Sequence, residues 1–359
     1  MKLRVSAPLR EIKMNKRRFQ EITACYSALR IAVVGDYSCD RYLEIDPTKT
    51  ETSIETGLPV HNVTNIRAQP GAAGTILNNL VALGIGELWP VGFCGEDGEG
   101  FELHRALENL PGVRMDHFIK SGEQRTFTYC KPLVMEPGQP PRELNRLDSK
   151  NWHPTPTTLQ DQLADAIRGL SGNVDAFVVL DQVEEPETGV VTQSLLKVIG
   201  DVAGNTRIKN GPRGGGEFPT IIGDSRRGMK DWPCTDIKMN LAEFEKLAGK
   251  SMPTIEDIDL AVSDMAGHEI MNIFVTLAEN GIICGDVCCG TFHQPALPVR
   301  GEIDIVGAGD AVTANLAAMA AASTEAEEMV VVANAAASVV IHKLGTTGTA
   351  TVAEIEALL

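Results

Sequence analysis

The sequence predicts an α/β protein: a mostly parallel sheet flanked by helices on both faces, with a small β-strand lid. Three observations predict it. From Leu159 onward, short apolar runs alternate with helical patterns. The first apolar run, Arg30–Asp36, is compact and ends in Gly-Asp, as a buried parallel strand does. Two blocks rich in Thr, Val and Ile, within 41–66 and 120–148, leave this alternation and read as extended strands of a separate layer.

Along the chain, residues 1–29 form a basic N-terminal extension, helical over about 13–29, and 30–359 form one domain. Strand 30–36 is followed by the extended segments of 41–66, which Pro47, Gly57 and Pro59 interrupt. A small-residue helix over 71–83, a strand at 87–93 and a helix at 98–107 come next. The second extended block holds strands at 124–135 and 142–148 around a Pro-rich turn at 137–141. Then the alternation sets in: helix 159–170, strand 176–180, helix 188–202, strand 220–224, strand 237–239, helix 241–248, strand 272–276 and a hairpin over 282–293. Helices at about 308–322 and 326–342 close the domain. Residues 204–217, with Gly211, Gly214, Gly215 and Gly216, read as a surface loop.

A formal net charge of −16 argues against nucleic acid or an anionic membrane surface as the main partner. No apolar stretch is long enough to span a bilayer, and the basic N-terminus lacks the apolar core of a signal peptide. The eight cysteines are scattered, and the one cluster, Cys284, Cys288 and Cys289, has no second ligand pair at zinc spacing. A reduced, cytoplasmic protein is the expectation.

The most informative stretch is Asp304-Ile-Val-Gly-Ala-Gly-Asp310, followed by an Ala-rich helix. A Gly307-Ala308-Gly309 turn at a helix start presents unpaired backbone N–H groups at the positive end of the dipole, which suits a phosphate. A carboxylate beside such a site is repelled unless it has work there, and taking the proton of an attacking alcohol is such work. Alone, the motif is equally a Gly-rich loop capped by Asp before a core helix.

Four weaker constellations accompany it. Gln69 to Leu80 holds a second small-residue turn, Gly71-Ala72-Ala73, with Thr75 and Asn79 on the helix behind it; close helix–sheet packing explains it as well. Asp36 and Asp40 follow the first strand's C-terminal end, where open α/β sheets bind ligands, or they cap a helix and pair with Arg41. Asn240 and Glu243 lie one helical turn apart, a spacing that fits a hydrated Mg²⁺ beside phosphates or a plain helix cap. Val275 to Gly281 is a strand and turn whose Thr276 hydroxyl and free amides can meet a nucleotide or simply connect two strands.

In this order, each at a strand end, these segments resemble the PfkB-type, ribokinase-like carbohydrate kinases, over about residues 30–350, and within them the heptose 7-phosphate kinase domains. Val34-Gly-Asp-Tyr-Ser-Cys-Asp-Arg-Tyr42, Leu58-Pro-Val60, Arg146-Leu-Asp148 and Lys343-Leu-Gly-Thr-Thr347 carry the nearer likeness. The resemblance implies a ribokinase-like fold and ATP-dependent phosphorylation of a sugar or sugar phosphate. It makes Asp310 the base and gives the transferring phosphoryl group to the amides of Gly307, Ala308 and Gly309. Asp36, Asp40, Gly71, Ala72, Thr75, Asn79, Arg146 and Asp181 fall to the acceptor. Asp224, Ser225, Thr276, Ala278, Gly281 and Asn334 fall to the nucleotide, and Asn240 and Glu243 to Mg²⁺ through water. K⁺ is a further cofactor compatible with the resemblance, and a homodimer through exposed lid strands is expected.

Departures from the family pattern lie mostly at the acceptor. Ala72 stands for the second Gly of the sugar motif and Thr75 for its Asn, and Ala278 replaces a Gly of the nucleotide turn. After Asp181, where the heptose kinases carry Lys then Gly, this chain has Gln182-Val-Glu-Glu-Pro-Glu187, three carboxylates and no lysine. Arg125, Lys131 and Arg146, on or near the lid, are then either the cations left to meet a phosphate or solvated lid residues. Heptose 7-phosphate is the first acceptor to consider, fructose phosphates and nucleosides the next. A non-catalytic nucleotide or sugar sensor on the same fold is the alternative class. A dinucleotide-dependent oxidoreductase is excluded, because the first strand ends in Gly-Asp-Tyr-Ser-Cys-Asp without the glycine fingerprint.

Overall fold

A computed structural model describes residues 14–210, 219–234, 236–266, 270–286, 290–345 and 347–359, with backbone only over 205–210. Gly211, Gly214, Gly215 and Gly216, with Cys288 and Cys289, lie outside the described residues.

Helix α1 (Lys16–Thr23) precedes strands β1 (Arg30–Gly35) and β2 (Tyr37–Ile45). A short hairpin, β3 (Glu51–Thr52) and β4 (Pro59–Val60), then leads to β5 (Val63–Ala72) and α2 (Ala73–Ala82). Next come β6 (Glu87–Gly95), α3 (Gly98–Glu108), β7 (Phe118–Ser121), β8 (Phe127–Val134), β9 (Arg142–Glu143) and β10 (Leu147–Ser149). The second half runs α4 (Thr157–Leu170), β11 (Ala176–Asp181), α5 (Gln193–Asn210), β12 (Thr220–Ser225), β13 (Asp236–Asn240), α6 (Leu241–Ala248) and α7 (Ile255–Met265). Strands β14 (Asn272–Thr276), β15 (Ile282–Asp286) and β16 (Gly290–Gln294) precede α8 (Ala308–Ala321), α9 (Ala326–Val340) and α10 (Val352–Glu356).

The main sheet has nine strands in the order β16-β15-β14-β13-β12-β11-β1-β6-β7. Pairing is parallel from β7 to β14, and β15 and β16 continue antiparallel. Both faces are covered at the centre of the sheet, which is why β1 and β11 are buried and largely apolar. Ile31 and Val33 of β1 enter one core with α2, α8 and α9, while Ala32 and Val34 enter the other with α4, α5 and α6. Strand order reverses at β1: the chain moves outward to β6 and β7, then returns to β11 and proceeds the other way. The crevice beyond the carboxyl ends of β1 and β11 is where such sheets take ligands.

Strands β10, β8, β2 and β5 form a second sheet, with β9 on β8, and this is the lid. It draws on both extended blocks, as the sequence predicts, with β2 parallel to β8. Arg41 fastens it to the body by meeting Glu102 through two nitrogens, at 2.9 and 3.0 Å, and Glu99 at 3.4 Å.

Three element boundaries differ from expectation. The N-terminal helix is shorter than 13–29; Asn15 caps it by accepting from Arg18 N–H, and it docks on the body through buried Phe19 and Ile22 and an Arg18–Glu328 ion pair at 2.7 Å. The helix expected over 188–202 occupies 193–210, so the first residues of the expected 204–217 loop are helical. Helix α7 was not anticipated, although Thr254 and Asp257 form a reciprocal capping box at its start. Among the described residues, no helix is long and apolar enough to cross a membrane.

Candidate active site

The glycine turn opens α8. Gly307 is its N-cap with φ +83°, a conformation that L side chains rarely adopt, and no side chain caps the helix. The Ala308 N–H is spent on the Ile305 carbonyl at 3.3 Å. Among the described residues, the N–H groups of Gly307, Gly309 and Asp310 make no hydrogen bond, leaving a cup of donors at the helix's positive end. Asp304 braces this turn: its carboxylate accepts from Val306 N–H at 3.0 Å and Gly345 N–H at 3.3 Å.

Asp310 stands in the first turn of α8, partly accessible, with no hydrogen bond to its carboxylate among the described residues. Burial pushes its pKa up to about 7; Lys238 and Arg226 oppose the shift and Asp224 and Asp40 add to it. A carboxylate poised near neutrality and free of partners has the properties of a general base.

Lys238 was missed by the sequence reading, yet it lies at the centre of the site. Its ammonium bonds the Asp224 carboxylate at 2.9 Å and lies against the Gly307–Gly309 turn, where a Cβ added to Gly309 would come within 3.2 Å of Nζ. Burial disfavours its charge, but the Asp224 carboxylate outweighs that, with Asp310 and Glu243 adding, and holds its pKa above the ordinary lysine value. A lysine inside β13, Asp-Ile-Lys-Met-Asn, a strand otherwise buried on both faces, is the signal that could have found it.

The acidic residues of the floor divide by what they hold. Asp224 binds Lys238 and the Thr313 hydroxyl, both through Oδ2, so it positions the lysine and ties β12 to α8. Asp181 accepts from the Ser225 hydroxyl at 2.7 Å and Arg227 Nε at 2.8 Å, while its buried Oδ1 has no partner among the described residues. Asp36 accepts three backbone N–H groups, from Val190 at 2.7 Å, Gln182 at 2.8 Å and Val183 at 3.2 Å, so it pins the loop that follows β11. Its pKa nonetheless rises to about 6, because burial and neighbouring Asp181 outweigh those three donors.

Asp40, on the lid strand β2, is placed differently. It accepts from Lys131 Nζ at 3.2 Å and the Ser38 hydroxyl at 3.2 Å, while Arg41 turns away to α3. A Cβ on Gly71 would come within 2.1 Å of Asp40 Oδ1, so only glycine lets this carboxylate lie against the second turn. Ala72, the N-cap of α2, carries φ 54° and ψ −117°, a strained conformation without a side chain cap. The following Ala73 N–H is used by the Asp36 carbonyl at 2.9 Å. Thr75 is buried in the first turn, and Asn79 faces inward, bonding the Thr75 carbonyl at 3.0 Å and accepting from Ala350 N–H at 3.4 Å. Arg146 pairs with Asp148 at 2.9 Å and covers the Tyr129 ring from 5.0 Å.

At the start of α6, Asn240 and Glu243 form a reciprocal capping box: Asn240 Oδ1 accepts from Glu243 N–H at 2.9 Å, and Glu243 Oε2 from Asn240 N–H at 2.8 Å. Glu243 keeps Oε1 unbonded among the described residues, with its pKa raised by burial and by Asp224. One free carboxylate oxygen near Asp224 and Lys238 fits a Mg²⁺ that keeps most of its waters. Thr276 ends β14 with its hydroxyl 3.4 Å from the Met239 carbonyl; Ala278, φ 50°, and Gly281 frame the turn behind it. Ser225 faces Asp181 rather than the cleft, and Asn334 Nδ2 bonds the Pro295 carbonyl at 2.8 Å.

Comparison with known proteins decides the family. Residues 218–352 match the pfkB family carbohydrate kinase model. The chain carries a PfkB-family carbohydrate kinase domain. It is 30% identical over 319 residues to the bifunctional protein HldE of Klebsiella pneumoniae strain 342, covering 88% of this chain and 60% of that protein. The Vibrio atlanticus HldE is 31% identical over 335 residues, covering 93% of this chain and 64% of that protein. The chain thus spans less than two thirds of the curated relatives it matches. The fold is shared with Arabidopsis thaliana ribokinase in complex with ribose and ATP (TM-score 0.64, 18% identity, 92% of this chain and 98% of that one). It is shared equally with Escherichia coli phosphofructokinase-2 in complex with substrates and products (TM-score 0.67, 17% identity, 92% of this chain and 97% of that one).

Proposed function

We propose that this PfkB-family domain transfers the γ-phosphoryl group of ATP to a hydroxyl of a sugar or sugar phosphate, with Asp310 as the base. The observation that carries the reading is an unbonded carboxylate raised to about 7 beside a cup of free N–H groups and a buried lysine. In this reading Asp310 takes the proton of the acceptor hydroxyl, whose oxygen attacks the γ-phosphorus as the bond to the β–γ bridging oxygen breaks. The Gly307, Gly309 and Asp310 N–H groups and Lys238 face the charge that develops on the phosphoryl oxygens. Asp40 orients the acceptor from the lid, and Asp36 and Asp224 act by holding the Gln182–Val190 loop and Lys238 in place. Mg²⁺, held through water by Glu243, would neutralise part of the triphosphate charge.

Heptose 7-phosphate is the first acceptor to assay, because of the segments that resemble heptose kinases and the HldE relatives. ATP consumption against a panel of sugars and sugar phosphates, in wild type and Asp310→Asn, tests the reading. Acceptor-dependent turnover lost in the variant supports the kinase; tight binding of both ligands without turnover in the wild type identifies a sensor. Assays with and without KCl test the K⁺ dependence. Light scattering tests the lid-mediated dimer, for which Val63, Ile66 and Leu147 supply exposed apolar surface.

A further inference from the structure

After Asp181 this chain lacks the lysine that the heptose kinases carry, and the neighbouring strand supplies a cation at the same level of the sheet. Asp181 of β11 is in register with Ser225 of β12, so Gln182 and Arg226 leave the two carboxyl ends side by side. Both backbones are fixed there: Asp36 accepts from Gln182 and Val183 N–H at 2.8 and 3.2 Å, and Arg226 N–H donates to the Asp181 carbonyl at 3.1 Å. Of the two adjacent arginines, Arg227 is committed, its Nε to Asp181 at 2.8 Å and a terminal nitrogen to the Val191 carbonyl at 3.2 Å. Arg226 is exposed, and its guanidinium makes no hydrogen bond or ion pair among the described residues. The cations singled out in the sequence lie elsewhere or are taken. Lys131 pairs with Asp40 at 3.2 Å and Arg146 with Asp148 at 2.9 Å, while Arg125 adjoins Thr126, which bonds Asp97 at the start of α3.

The uncommitted guanidinium faces the lid. Burial raises the pKa of Tyr129 on β8, and the nearby charges of Arg226 and Lys150 oppose that rise. Tyr129 therefore keeps its proton, and its hydroxyl makes no hydrogen bond among the described residues. Arg146 covers the ring from 5.0 Å, and the register partner of Tyr129 on β2 is Asp40, the carboxylate given to the acceptor. Tyr129, Lys150, Glu184 and Glu185 line a cleft of about 70 Å³, space for a small group and not for a further ring. Lys150 pairs there with Glu184 at 3.0 Å, but both side chains reach solvent, so the pair is readily exchanged for a better anion. Glu184 and Glu185 repel an anion at this place unless Arg226 turns toward it.

We propose that Arg226, with the Tyr129 hydroxyl and Lys150, holds the phosphate of a sugar phosphate acceptor, in place of the lysine missing after Asp181. A guanidinium fork matches two phosphate oxygens at once, and a phenol and an ammonium can donate to the others. This rests on the kinase reading and narrows its acceptors to phosphorylated sugars.

Steady-state kinetics with heptose 7-phosphate, fructose 6-phosphate and fructose, together with calorimetry of the same ligands, test it. Arg226→Gln should raise KM for the better sugar phosphate about thirtyfold, the loss expected for a hydrogen-bonded charge, with kcat and the KM for ATP within about threefold. Arg226→Lys should recover most of that loss, and Tyr129→Phe should raise the same KM about threefold. Calorimetry should show the sugar phosphate binding to the wild type and losing affinity in Arg226→Gln by the same factor. The proposal is overturned if fructose is as good an acceptor as fructose 6-phosphate, or if Arg226→Gln leaves KM for the sugar phosphate unchanged. It is overturned equally if kcat or the KM for ATP changes instead, which would give Arg226 to the transferring group or to the nucleotide. Sugar phosphate binding that Arg226→Gln abolishes, without turnover in the wild type, would keep the anion site while removing the kinase reading, so the two fail separately. Neither binding nor turnover overturns both.

Discussion

Two small-residue turns open helices in this protein, and they do opposite things with the same backbone device. At Gly71-Ala72-Ala73 the Ala73 amide is used by the Asp36 carbonyl, and Gly71 exists to let Asp40 approach. At Gly307-Ala308-Gly309 the Gly307 and Gly309 amides stay open, and Asp310, with no hydrogen-bond partner among the described residues, stands in the helix's first turn. The first is a packing joint that places a carboxylate; the second is a cup of unspent donors of the kind that suits an anion. A helix N-terminus becomes a phosphate site only where the protein leaves its donors unspent.

The largest effect expected from breaking this contrast is at the cup. Asp310→Asn should lower kcat by about 10²–10⁴-fold, the range for loss of a general base. The same change should raise Tm at pH 8. The native pKa of about 7 is raised above the unfolded value, so ionised Asp310 costs stability above pH 7, and the gain from Asn should vanish as the pH falls toward 4. In the wild type, kcat/KM for the acceptor should rise with pH through an acid limb near 7.

Next comes the lysine against the turn. Lys238→Met should cost about 10²-fold in kcat by removing one charge from the phosphoryl oxygens. It should also lower stability by about 3 kcal/mol, because Asp224 is left buried without its counter-ion.

The joint should respond in stability rather than chemistry. Asp36→Ala orphans three N–H groups and should cost about 3 kcal/mol in urea unfolding. The smallest expected effect is a gain: Ala72→Gly relieves a positive φ and should add about 1 kcal/mol with kcat unchanged. Gly307→Ala should do the reverse, since its Cβ would come within 2.7 Å of the Thr347 methyl.

Much of the fold was legible because its signals are local. Alternating apolar runs and helices specify a sheet covered on both faces, and the β-rich blocks specify a second layer. Helix α7 was overlooked between two strands, although Thr254 and Asp257 announce it. The candidate site residues stand out in the sequence as a set of motifs, and the partners of each one do not. Asp36 and Asp40 look equivalent in the sequence, yet one pins a loop and the other meets a lid lysine. Asp224 and Ser225, adjacent in the sequence and assigned together to the nucleotide, are bonded to different partners, Lys238 and Asp181.

The sequence by itself determined the layers, the Gly307–Gly309 turn and the acid beside it, because helix starts, strand periodicity and small-residue turns act over a few neighbours. Only the tertiary structure decided which carboxylates are free. That depends on partners as distant in the chain as Asp224 and Thr313, or Asp36 and Val190, which burial forces together. A charged group in the interior takes its role from whatever satisfies it, and no local pattern records that partner.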